Sequence, residues 1–103
     1  MSDRLEQLTR LHESDPTDPF ITYGIAFEYA KSDQPQQAID WLNKTLELDP
    51  HYCYAYFQKG KAFSALGDED KAAEAVREGI RVSEEIGDDH ARHELADLLL
   101  TLQ

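Results

Sequence analysis

The sequence predicts an all-α fold, an α-α superhelix in which about six antiparallel helices form an array of repeated pairs. The main evidence is a repeat, because Asp15-Pro16 returns as Asp49-Pro50 thirty-four residues later. Apolar residues between the two pairs recur at helical spacings of three and four positions. Several of them return with the same offset, as Tyr29 does in Phe63. A period near 34 residues with two helices per unit is typical of a helical repeat array, which favours partner binding over catalysis.

Prolines and capping residues mark the helix boundaries in the N-terminal half. The first helix is predicted over about residues 3–12, where leucines recur every three positions. Asp18 is expected to cap the second helix, with Pro19 at its first position, because the fixed φ of proline suits that place. We expect the second helix to end near Ser32-Asp33 and the third to open at Gln34-Pro35.

In the C-terminal half, turns that contain glycine mark most of the helix boundaries. Asp49-Pro50 stops the third helix, and the fourth is predicted to begin near Tyr52. Gly67 suits the left-handed position after a helix, and Asp68 can cap the fifth helix. The last helix is predicted from Asp89 to Leu102, with leucines along one side.

Two consecutive segments, residues 19–52 and 53–86, resemble the tetratricopeptide repeat (TPR). That family's pattern is an aromatic, a Leu-Gly pair, an aromatic, an alanine, a bulky apolar residue and a closing proline. The matching positions are Ile25, Ala26, Tyr29, Ala38, Leu42 and Pro50, then Tyr56, Gly60, Phe63, Ala72, Val76 and Gly79. The positions that depart from it are Thr22, Thr45, Lys59 and Glu84. The chain resembles a small stand-alone TPR-domain protein, which implies a TPR-type right-handed solenoid.

The resemblance divides residues 1–103, taken as a single TPR-like domain, into four parts. They are an N-terminal half repeat (3–16), a first repeat (19–52), a second repeat (53–86) and a C-terminal capping helix (88–102). His93, Glu94 and Asp97 stand where leucine, glycine and an aromatic are expected, so the last helix is interpreted as a solvated cap. Ser83-Glu84 replaces a third Asp-Pro pair, and the fifth helix is therefore expected to continue toward Gly87. With a half repeat before and a cap after the two repeats, we expect the array to be complete.

In this family the first helix of each pair lines a concave groove that holds peptide segments. The resemblance implies these groove residues: Phe20, Tyr23, Phe27, Lys31, Tyr54, Phe57, Gln58 and Lys61. Their aromatic rings either offer a large apolar surface to a partner or pack between helices and under the last helix. Some members grip a C-terminal carboxylate with Lys and Asn where this chain has Tyr23 and Phe27, so a carboxylate clamp is not expected. The predicted function is a non-catalytic adaptor that binds a protein or peptide segment.

The last helix offers an alternative interaction surface. Its leucines exceed what one stripe can bury, and Leu100 lies off the buried side. The alternative function is therefore a self-associating structural unit, a weak homodimer, that uses Leu98, Leu100 and Leu102 or the groove itself. An ordinary exposed leucine is the competing interpretation.

Charge limits the classes of partner. Twenty-one acidic and ten basic side chains give a net charge of −11, which repels phosphate backbones, so nucleic acid is not an expected partner. Salt adaptation and a preference for basic ligands both remain open as reasons for the acidity. The chain has neither an apolar run of about 18 residues nor an apolar leader, which favours a cytoplasmic protein without membrane contact.

Catalysis, metal binding and cofactors are not expected from the sequence. His90 and His93 are three residues apart beside Asp89 and Asp97, but a second Cys or His cluster that would complete a metal site is missing from the sequence. Cys53 is the single cysteine, and we interpret it as a small packing residue at a helix start.

Overall fold

Six α-helices form the described part of the chain, residues 3–102 of the computed structural model. They are α1 (Asp3–Ser14), α2 (Pro19–Lys31), α3 (Pro35–Leu48), α4 (Cys53–Ala65), α5 (Glu69–Ile86) and α6 (Asp89–Thr101). Each helix packs against the next, and α2, α4 and α6 also contact one another in series. The predicted all-α architecture is confirmed, since residues 3–102 contain no β-strand.

The local signals place most boundaries where they were predicted. The carboxylates of Asp18, Asp68 and Asp88 each accept a backbone N–H from the helix that follows, at 2.9–3.1 Å. Gly67 and Gly87 adopt left-handed conformations, with φ values of 80° and 74°, after α4 and α5. The fifth helix runs on to the turn at Gly87, as the loss of the third Asp-Pro pair predicts.

The first helix is longer than predicted. It ends at Ser14 rather than near His12, because the backbone N–H of Asp15 still bonds the carbonyl of Leu11 at 2.8 Å. Pro16 then disfavours a helical conformation for Asp15, which ends the helix.

Small residues let the two helices of the second pair approach closely. A Cβ added at Gly79 would lie 2.6 Å from the Cβ of Tyr56, and one added at Gly60 would collide with Val76. Ala72 is fully buried in the same interface. The small positions of the repeat pattern therefore mark helix contacts.

Two departures from the repeat pattern compensate for each other. Thr22 and Thr45 are both 0% exposed, and their hydroxyl oxygens lie 2.8 Å apart across the α2–α3 interface. Each hydroxyl also lies 3.0 Å from a backbone carbonyl of its own helix, that of Pro19 or Trp41. Because a hydroxyl carries one proton, one of the two donates to its carbonyl while the other donates across the interface. A polar pair with hydrogen-bond partners thus replaces the large aromatic and the small alanine that the pattern expects.

The two hydroxyls of this pair are expected to contribute to stability jointly, so that removing both costs less than the sum of the two single removals. Thr22→Val and Thr45→Val should each lower the free energy of unfolding by about 1 kcal/mol, since each leaves a buried hydroxyl without its cross-helix partner. The double variant should lose less than the two combined, with a coupling of about 0.5–1 kcal/mol. Urea unfolding of the four proteins measures this cycle. If the losses in unfolding free energy were additive, the two hydroxyls would not interact. The effect would then come from the bonds to the carbonyls of Pro19 and Trp41.

Candidate functional site

The first helices of the two pairs form a groove with a volume of about 330 Å³. We name it the α2–α4 groove. Its walls are Phe27, Ala30, Lys31, Asp33 and Pro35 on one side and Gln58, Lys61, Ala62 and Ala65 on the other. Four of the eight predicted groove residues line it, two from α2 and two from α4. The walls are mainly apolar, with two lysines at the surface.

Both lysines of this groove lie over aromatic rings. The Nζ of Lys31 is 5.8 Å from the ring centre of Phe27, and the Nζ of Lys61 is 5.8 Å from that of Phe57. A cation over a ring face is attracted by the ring's quadrupole, which holds the ammonium near the apolar wall. In a chain of net charge −11, this places two cations beside an apolar surface, where Lys31 also pairs with Glu28 at 3.5 Å and Asp33 lines the same groove.

Tyr23 packs between helices more than it faces a partner. Its ring stacks on Tyr52 with centres 4.9 Å apart, and burial raises the pKa of Tyr23 while a hydrogen bond with Gln58 lowers it. Burial also raises the pKa of Tyr52. Tyr52 was missed as a neighbour of the predicted site, although its position just before α4 was the available signal.

Tyr54 and Phe57 are half-buried at the other end of α4. Both pack against the core cluster that contains Ala91 and Leu95 of α6. The pKa of Tyr54 is raised by desolvation and then by the charge of Glu94, also on α6. The last helix therefore covers part of the predicted aromatic surface.

Phe20 lies in a different groove, between α1 and α2. This second groove has a volume of about 400 Å³, and we name it the α1–α2 groove. Its lining residues from α1 are Arg4, Leu8 and Leu11. Those from α2 are Phe20, Ile21, Tyr23, Gly24, Phe27 and Glu28. The repeat pattern alone does not separate this groove from the first, although the position of Leu11 in phase with the repeat is a signal for it.

The three leucines predicted for self-association have different environments. Leu100 is 76% exposed and Leu98 is half-buried. Leu102 is 7% exposed and belongs to the same core cluster as Leu95, so its assignment to an outer surface is corrected. Leu102 is the C-cap of α6, and its backbone N–H donates to the carbonyl of Leu99 at 3.1 Å.

The polar candidates take part in local contacts. His90 lies 2.8 Å from Glu94, and the Nδ1 of His93 lies 3.0 Å from the carbonyl oxygen of Asp89. Among residues 3–102, His, Cys, Asp and Glu form no group of three suited to a metal ion. Cys53 is buried at the start of α4, and burial raises the pKa of its thiol, which favours the unreactive protonated form. Among the described residues, none of the helices combines the length and the apolarity needed to cross a membrane.

Stacked helix pairs with small residues between them define a helical repeat protein. A family model of the tetratricopeptide repeat matches residues 54–86. A tetratricopeptide repeat domain protein from Salinibacter ruber is 34% identical, with a TM-score of 0.77, over 85% of this chain and 89% of that chain. A TPR repeat-containing protein of Pseudomonas aeruginosa is 26% identical over 95% of this chain and 93% of that protein. The chain belongs to the tetratricopeptide repeat family, as the sequence patterns predicted.

A more distant structure shares the fold over nearly the whole chain. The TPR2B domain of yeast Sti1, solved in a complex with pHsp70, has a TM-score of 0.90 at 23% identity. The alignment covers 95% of this chain and 78% of that chain. The TPR-type helical solenoid is therefore confirmed as the fold class.

Proposed function

We propose that this chain is a non-catalytic interaction module that holds a partner's peptide segment in the α2–α4 groove. The observation that carries the proposal is the combination of an apolar wall, including Phe27, with Lys31 and Lys61 at its edge. The complex of the Sti1 domain with pHsp70 supports it, because that domain has the same fold. A segment held at such a site is expected to place an apolar side chain against the wall and an acidic one beside the lysines.

The half-buried aromatic rings give the groove its shape rather than its whole contact surface. Tyr23 is fixed by Tyr52, and Phe57 by the core cluster under α6. Phe27 is 41% exposed and lines the groove directly. A partner's apolar residue against Phe27 would contribute on the order of 1–3 kcal/mol to binding.

Reversing the charge of both lysines is expected to weaken peptide binding about tenfold. Peptides selected from a random library against the wild type should carry an apolar residue next to Asp or Glu. Lys31→Glu combined with Lys61→Glu removes the attraction for that acid and adds repulsion, and a tenfold change corresponds to about 1.4 kcal/mol. Isothermal titration calorimetry with the selected peptide measures the affinity.

Lys71→Glu is the control for charge reversal of a lysine over an aromatic ring, because Lys71, on α5 outside this groove, lies over Phe63. It should bind the peptide with nearly the wild-type affinity. Since Lys31 also pairs with Glu28, circular dichroism must show that the double variant keeps its helicity. Equal binding by the double variant and the wild type would place the peptide elsewhere and contradict the assignment of this groove.

A further inference from the structure

The α1–α2 groove corresponds to a surface that the chain covers elsewhere with its own helices. Thirty-four residues after Leu8 and Leu11 stand Leu42 and Thr45 of α3, which are 1% and 0% exposed because α2 packs on them. In the α1–α2 groove Leu11 is 53% exposed and Phe20 is 61% exposed. The groove therefore corresponds to the surface on which the first helix of a pair packs, and within residues 3–102 no helix occupies it.

The last helix has the pattern of such a first helix, once its starting point is taken from the structure. It begins at Asp89, thirty-six residues after α4 begins at Cys53, whereas α4 begins thirty-four residues after α2. Aligned from its first residue, α6 places Leu95, Ala96 and Leu99 at the leucine, small and aromatic positions of the repeat. The mismatch expected in the last helix follows from assuming a constant offset of thirty-four.

The burial of α6 agrees with this alignment. Ala91 is 0% and Leu95 1% exposed, and Leu95 packs against Gly79 of the preceding pair. On another side of α6, Ala96 is half-buried and Leu100 is 76% exposed. This is the side that, in α4, holds the second helix of its own pair through Gly60.

We propose that the chain associates head to tail, with the open side of α6 in one copy packed into the α1–α2 groove of a second copy. In the described range α6 is a first helix without its second helix, and α1 is a second helix without its first. Each end therefore supplies what the other lacks, and the contact continues the helix-pair interface already present twice in the chain. The contact joins two different surfaces, so it is heterologous and repeats along a row of molecules. It replaces the symmetric pairing expected from the leucines of the last helix.

Electrostatics limit the strength of this contact but do not prevent it. Glu28 is 6% exposed in the groove, and it lies 4.0 Å from Arg4 and 3.5 Å from Lys31, which balance its charge. Each copy carries a net charge of −11, so whole copies repel one another. Because salt screens this repulsion, association should strengthen as the ionic strength rises.

Two surface variants test the heterologous geometry by sedimentation. Leu11→Glu places a charge in the groove, and Leu100→Glu places one on the open side of α6; both leucines are exposed, so circular dichroism should show unchanged helicity. The wild type should exceed the monomer mass increasingly from about 10 µM to about 1 mM, the range of weak interfaces. Each variant alone should remain monomeric, because the introduced charge blocks either its α1–α2 groove or the open side of its α6. An equimolar mixture should form dimers and nothing larger.

The mixture separates this arrangement from its competitors. In the mixture, the intact α6 of Leu11→Glu meets the intact groove of Leu100→Glu, and both outer ends are blocked. A symmetric contact through α6 would instead let Leu11→Glu dimerise alone, and that result would overturn the proposal. A wild type that stays monomeric at about 1 mM and high salt would also overturn it. Leu66→Glu, an exposed leucine outside both surfaces, should behave as the wild type.

Discussion

Leu95→Ala is expected to lower the free energy of unfolding by about 3 kcal/mol, because it leaves a cavity where a leucine is fully buried. Leu95 is 1% exposed and fills the space between Gly79 on α5 and the core cluster that joins α4, α5 and α6. For a small domain this is a large part of the total stability. Urea unfolding followed by circular dichroism measures the loss.

Leu100→Ala is the matched control for this change. It removes the same atoms from the same helix, but Leu100 is 76% exposed, so the free energy of unfolding should change by less than about 0.5 kcal/mol. Similar effects of the two substitutions would mean that α6 is not anchored through Leu95. In that case α6 would not be held firmly enough to cover Tyr54 and Phe57.

The helix boundaries were predictable because their causes are local. Pro19, Gly67 and Asp68 act through backbone geometry within a few residues, and all three occupy the predicted positions. The end of α1 was missed by two residues, because one more backbone bond forms before the constraint of Pro16 takes effect. Even there the cause lies within one turn.

The environment of each groove residue was not predictable, since it depends on which other helix reaches it. The same helical spacing leaves Phe27 41% exposed and fixes Tyr23 against Tyr52, a residue twenty-nine positions away. Tyr54 is covered by α6, and that contact follows from the packing of the whole array. The repeat pattern therefore identifies the helices that build the grooves, while their division into two grooves depends on how the helices pack.

The position of α6 differs from the one that a constant 34-residue period predicts. A constant period places His93 and Asp97 at buried positions and implies that the last helix departs from the repeat. The structure has a longer α5, of 18 residues against 14 in α3, and a shorter turn after it. With this net shift of two residues, the leucine and aromatic positions of the repeat fall on Leu95 and Leu99 instead of His93 and Asp97.

Gly79→Ala is expected to destabilise the protein by about 1–3 kcal/mol, although alanine is ordinarily the better helix former. The added Cβ would lie 2.6 Å from the Cβ of Tyr56 and 3.0 Å from a methyl group of Leu95. The Cβ of Tyr56 is tied directly to the backbone of α4, so the helices themselves would have to separate. The gain of about 1 kcal/mol in helix propensity is too small to offset this strain.

Gly24→Ala gives the opposite expectation and so isolates the packing effect. Gly24 lies in the middle of α2, where an added Cβ would meet the methyl groups of Leu8 at 3.3 Å and 3.4 Å. Those atoms are the flexible end of a side chain and can move by a few tenths of an ångström, so propensity should dominate and raise stability by up to about 1 kcal/mol. Thermal and urea unfolding of both variants compare the two signs. If Gly79→Ala proved stabilising, α4, α5 and α6 would have to pack more loosely than described. A Cβ at Gly79 has room only if these helices stand further apart, whereas a Cβ at Gly24 requires only a small movement of Leu8.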